Sequence, residues 1–79
     1  MKYRKKPIVV EAEQWFPGQN TPGVQEQWLK GLPTRYYVVT AHGQRVYLKP
    51  GDWVIAELDG EHYYACRPEI FAATYDPAE

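Results

Sequence analysis

Apolar and polar positions alternate along Ile8-Val9-Val10-Glu11-Ala12-Glu13-Gln14-Trp15. Ile8, Val10 and Ala12 fall on one face, and Val9, Glu11, Glu13 and Trp15 on the other. A period of two predicts a strand, and Pro7 suits the first position of one. Phe16 to Asn20 reads as loop because of Pro17-Gly18. The spacing then changes. Thr21 is a suitable N-cap and Pro22 a suitable first helical residue, and Val24, Trp28, Leu29 and Leu32 follow at helical intervals until Gly31 and Pro33. This predicts a helix over 21–32.

Beyond Pro33 the period returns to two. Arg35 to Thr40 is rich in β-branched and aromatic residues, and Ala41-His42-Gly43-Gln44 predicts a hairpin into Arg45-Val46-Tyr47-Leu48. Val46 and Leu48 point inward there, and Arg45 and Tyr47 outward. Lys49-Pro50-Gly51-Asp52 has proline and glycine in type II order, and it launches a strand from Trp53 to Glu57. Asp59-Gly60 signals another hairpin, returning along His62 to Cys66. Pro68-Glu69-Ile70-Phe71 predicts one helical turn, and Thr74-Tyr75 a last extended piece. Residues 1–79 thus read as a single small α+β domain. Its expected form is a twisted antiparallel sheet, or partly open barrel, of five to six strands with one short helix covering an end or face.

Length constrains how such a body is held together. A chain of 79 residues buries only about 60% of the surface exposed by its unfolded form. Disulfides, metals or self-association usually compensate. Cys66 is the single cysteine, which excludes an intrachain disulfide and argues against an oxidising compartment. His42, His62 and Cys66 lack the spacing of a structural metal site, and no cofactor is expected. Self-association remains, with three Trp, seven Tyr and two Phe to supply an interface. A homo-oligomer is expected.

Charge is unevenly placed. Lys2, Arg4, Lys5 and Lys6 precede Pro7, while the rest of the chain carries five basic against ten acidic residues, a balance of −5. A nucleic-acid coat needs a broad basic face, so the pattern disfavours nucleic acid and suits a compact anionic ligand. The N-terminal lysines precede no apolar stretch long enough for a signal peptide, and no run approaches a membrane span. A cytoplasmic protein is expected.

Catalytic chemistry finds little support. The chain has no serine. Cys66 and His62 lie on one predicted strand about 13 Å apart at strand rise, too far for a nucleophile and its base. Glu11 with Glu13, and Asp59 with Glu61, read as solvated surface pairs. No phosphate loop, dinucleotide fingerprint or calcium loop is present. An enzyme is not expected. Binding is better supplied, because aromatic faces beside guanidinium groups suit a base-and-phosphate ligand. The candidates are Trp15, Tyr47, Trp53 and Tyr64 for stacking, and Arg4, Lys6 and Arg67 for phosphate. Each tryptophan also fits a core or interface role, and the basic tip also fits protection of an edge strand.

Three blocks carry a resemblance. Lys2-Tyr3-Arg4-Lys5-Lys6-Pro7, running into Gln14-Trp15, resembles the opening of a widespread family of small tailed-phage and prophage proteins. Pro50-Gly51-Asp52-Trp53-Val54-Ile55 and the ending Pro68-Glu69-Ile70-Phe71 to Thr74-Tyr75 are similar to its other two blocks. Phage proteins of this size that form β-rich oligomers include sponges. These capture nucleotide second messengers of host antiviral signalling. The resemblance therefore implies a phage protein that sequesters a cyclic dinucleotide or a relative without turnover, inside the bacterial host. The alternative is a protein-interaction module, acting as a virion or morphogenesis accessory or as an inhibitor of a host factor.

Overall fold

A computed structural model describes residues 1–3 and 8–77. The candidate phosphate ligands Arg4 and Lys6 lie outside the described residues. In chain order the elements are β1 (Ala12–Gln14), β2 (Gln25–Gln27), β3 (Arg35–Val39), β4 (Arg45–Tyr47), β5 (Trp53–Ala56), β6 (Tyr63–Cys66) and α1 (Pro68–Thr74). They form two antiparallel three-stranded sheets rather than one sheet or a closed barrel. The first has the order β1-β5-β6 and the second β2-β3-β4.

The sheets pack through one face of each. Trp15, Val38 and Val54 are buried at the centre, ringed by Val24, Tyr36, Val46, Leu48, Tyr63 and Ala65. Val46 and Leu48 point inward as their alternation predicts, leaving Arg45 and Tyr47 outside. Full burial of a side chain such as Val38 contributes about 1.5–3 kcal/mol. Ile55 is fully buried as well, on the opposite face of the first sheet.

The predicted helix over 21–32 is absent. Thr21-Pro22-Gly23-Val24 closes instead as a turn, with Val24 N–H donating to Thr21 C=O at 3.2 Å and Gly23 at φ 86°. Proline followed by a positive-φ glycine is the type II pattern, the one also present at Pro50-Gly51. Gly23 is further fixed by packing, since a Cβ there would lie 2.2 Å from the Tyr63 ring. The chain therefore leaves the turn extended, and Gln25–Gln27 pairs with β3. Trp28, 71% exposed, and the exposed Leu29 and Leu32 then sit in the β2–β3 connection rather than on a packed helix face.

The single helix among the described residues is α1, longer than the one turn predicted at Pro68–Phe71. It takes in Thr74, and only Tyr75 is extended. Proline at its first position has no N–H to lose there. The first strand is shorter than the predicted 8–15, although ladder contacts continue past both ends of β1. Ala56 N–H donates to Glu11 C=O at 2.9 Å, and Trp15 N–H to Asp52 C=O at 2.8 Å.

Candidate functional site

The hairpin turn sets the geometry of the second sheet's outer face. Gly43 N–H donates to Thr40 C=O at 2.8 Å and Thr40 N–H to Gln44 C=O at 2.9 Å. This puts Tyr37 opposite Tyr47, and Val39 opposite Arg45. On the other side of β3, Gln25 faces Tyr37 and Gln27 faces Arg35. The outer face is thus a grid of glutamine, arginine and tyrosine.

Those side chains lie against one another. The Arg35 guanidinium sits 3.8 Å over the Tyr47 ring, and Arg45 sits 4.7 Å over Tyr37. The two rings are 5.8 Å apart and tilted by 57°. Tyr47 Oη donates to Gln27 Oε1 at 2.8 Å, and Tyr37 Oη to Gln25 Oε1 at 3.3 Å. Among the described residues no carboxylate pairs with either guanidinium. Cation–π contact holds each guanidinium over its ring, and among the described residues its N–H groups have no charged partner. The face offers hydrogen-bond donors and seeks acceptors.

Beside it lies a cleft of about 300 Å³, lined by Arg35, Tyr36, Tyr47 and Lys49, with Trp15 in its floor and Pro50 at its rim. Among the described residues no carboxylate lines it. The neighbouring hollows differ in that respect. Glu57 and Asp59 line one, Glu11 and Glu13 a second, Glu11 and Asp76 a third and Glu26 a fourth. Phosphate brought into any of those would meet a like charge, so the Arg35–Lys49 cleft is the candidate anion site.

The residues singled out from the sequence are divided between surfaces. Tyr47 lines the cleft. Trp15 reaches its floor but is 1% exposed and packs against Tyr36 at 4.9 Å, so the expectation of a stacking platform is corrected to a core role. Trp53, Tyr64 and Arg67 belong to the first sheet and its helix connection. Trp53 stacks on Phe71 with centroids 4.0 Å apart and planes 5° apart, and Phe71 stacks on Tyr75 at 4.9 Å. The Tyr64 and Tyr75 hydroxyls share a 2.8 Å hydrogen bond. Burial, and then that bond, push the Tyr64 phenol well above its usual range.

Arg67 lies 3.8 Å from the buried Asp52 carboxylate, which also accepts from Lys49 N–H at 2.9 Å. Asp52 thereby closes its own turn, and Arg67 neutralises it. Gln14 Nε2 donates to Gly51 C=O at 3.0 Å, and a Cβ on Gly51 would contact Pro68 at 3.6 Å. The three sequence blocks meet at this junction, in an architectural role. Cys66, opposite Trp53 on β6, is half-buried, and its thiol is pushed up by burial and by the charges of Asp52 and Glu69. It is a poor nucleophile at neutral pH.

Sequence reasoning missed Arg35, Tyr36 and Lys49 as cleft residues. The signal was present in the hairpin. Counting the ladder back from the Thr40–Gln44 closure brings Arg35 level with Lys49 and sets Tyr47 diagonal to Arg35. Comparison of the chain with protein-family models, curated proteins and solved structures gives no match.

Proposed function

We propose that this protein is a non-catalytic binder of a nucleotide, and that it acts in a phage-infected bacterial cell by sequestering a nucleotide second messenger such as a cyclic dinucleotide. One observation carries the reading: a concave site joins two cationic side chains, Arg35 and Lys49, to the Tyr36 and Tyr47 rings and, among the described residues, has no carboxylate in its lining. Guanidinium forks pair with phosphate oxygens, and a base stacks on an aromatic ring or a guanidinium plane. The Arg35 guanidinium over the Tyr47 ring offers such a surface. Its volume lies at the lower end of the usual range, about 300–1,000 Å³, of small-molecule sites. A dinucleotide would extend beyond it, so a second copy is proposed to close over the ligand. Capture without turnover then depends on affinity alone.

The test is the ultraviolet spectrum of purified protein before and after denaturation and filtration, followed by thermal shift with a panel of cyclic and linear nucleotides. Released nucleobase absorbance, or stabilisation by one nucleotide class, is expected. No released material and no shift across the panel would overturn the reading. A second reading, a protein-interaction module, is favoured by the exposed Trp28, Leu29 and Leu32. Loss of partner binding in Trp28→Ala, with nucleotides inert, would favour it.

A further inference from the structure

The open edge of the first sheet is a separate feature, remote from the nucleotide reading. Among the described residues β1 is paired on one side only, with β5. Glu11 and Trp15 direct their backbone groups to β5, as the Ala56-to-Glu11 and Trp15-to-Asp52 bonds show. Antiparallel alternation then turns the N–H and C=O groups of Ala12, and those of Val10 beyond it, toward the free edge. Gln14 C=O, the next such group, accepts from Gln19 Nε2 at 2.7 Å, so the loop after β1 closes that end. The preceding residues are apolar and open: Ile8 is 52% and Val9 77% exposed. Edge strands of this kind invite a further strand.

The two sides of this edge differ in chemistry. On the helix side, a groove of about 370 Å³ is lined mainly by Ile8, Val10, Trp53, Phe71 and Tyr75, with Glu11 and Asp76 also in its lining. On the other, a groove of about 320 Å³ has Glu11 and Glu13 at its margin and Val54, Ala56 and Tyr63 in its floor. A strand added to β1 would send alternate side chains into each groove. We propose that the β1 edge is a β-augmentation site for an extended peptide segment of a partner protein with alternating apolar and basic residues. The apolar side chains enter the aromatic groove, and the basic ones face Glu11 and Glu13. Self-pairing of two β1 strands about Ala12 would instead set Glu11 against Glu13 of the second copy, which like-charge repulsion disfavours.

The test uses the full chain, labelled with nitrogen-15, and a synthetic peptide alternating valine and lysine over about eight residues, within the usual strand range. Saturable shifts of the Val10, Ala12 and Gln14 amides are expected, with a valine–glutamate peptide at least about tenfold weaker. Ala12→Pro removes the outward N–H, a change that edge strands tolerate. It should keep the dispersed spectrum of the parent and abolish peptide binding. Reversing charge with Glu11→Lys and Glu13→Lys together should transfer the preference to the glutamate peptide. Equal binding of both peptides, no binding, or shifts confined to another surface would overturn the proposal. So would concentration-dependent dimerisation that Ala12→Pro abolishes, since that would assign the edge to a second copy.

Discussion

Trp53 and Phe71 lie face to face, 4.0 Å between centroids and 5° between planes. Through this stack the Pro50–Ile55 block holds the C-terminal helix. Helix α1 has seven residues and no fully buried side chain, too short to persist alone, so the stack and its extension to Tyr75 supply most of its docking. Phe71→Ala should destabilise the fold by about 2 kcal/mol, below the core range because Phe71 is half-buried. Phe71→Leu should cost about 1 kcal/mol, since it keeps apolar area and loses the aromatic pairing. Urea denaturation measures both, and the near-ultraviolet dichroism of Trp53 should fall in each. Equal stability of Phe71→Ala and parent would contradict this role.

Trp15 is a core residue by volume rather than by hydrogen bonding. Its indole Nε1 is buried and bonds to no acceptor among the described residues. Trp15→Phe should therefore cost less than about 2 kcal/mol, while Trp15→Ala should cost about 3–5 kcal/mol. Thermal or chemical denaturation separates these outcomes. A Trp15→Phe variant as unstable as Trp15→Ala would show that the indole N–H matters after all.

Gly23 and Gly43 share a positive φ and differ in surroundings. A Cβ on Gly43 would meet nothing within 4 Å, whereas one on Gly23 would overlap the Tyr63 ring. Gly43→Ala should cost about 1 kcal/mol, the backbone penalty alone. Gly23→Ala should cost about 3 kcal/mol or more as Tyr63 is displaced from the core. Comparable losses at the two sites would contradict the turn-and-ring account.

These turns also show what the sequence made legible. The hairpins at Gly43 and Gly60, the inward Val46 and Leu48, and the Pro50-Gly51 turn follow from local chemistry, because each is decided within four or five residues. The 21–32 segment failed for a physical reason. Trp28, Leu29 and Leu32 carry helical spacing, but Pro22-Gly23 commits the backbone to a turn before the spacing can act. The candidate site was half legible. Tyr47 was found from its outward parity, whereas Arg35 and Lys49 needed the cross-strand register. The division of Trp53, Tyr64 and Arg67 from Tyr47 depends on two sheets forming in place of one, a tertiary choice that alternation along a strand does not encode.

Asp59 and His62 form a surface pair at 2.6 Å in the β5–β6 turn. The Glu61 and His62 backbone N–H groups, then the His62 ring, lower the Asp59 carboxyl to about 2. The hydrogen bond to Asp59 raises His62. The His62 contribution is complete below its ordinary value of about 6.5 and is lost as pH rises through the raised one. The Asp59 contribution is complete above about 4 and is lost as pH falls through its lowered value. The turn is thus held best between roughly pH 4 and 6.5. In an NMR titration, Asp59→Asn should return His62 toward its ordinary value, and an unchanged His62 titration would contradict the pairing.

Calorimetric titration of parent and Arg35→Ala with cyclic dinucleotides and linear nucleotides decides whether Arg35, Tyr47 and Lys49 form a nucleotide site. Saturable binding of at least one cyclic dinucleotide by the parent is expected. Loss of the charged hydrogen bonds in Arg35→Ala should weaken it by about 1.5–3 kcal/mol, roughly tenfold to a hundredfold. Absence of heat with every nucleotide, or equal affinity in Arg35→Ala and parent, would contradict such a site.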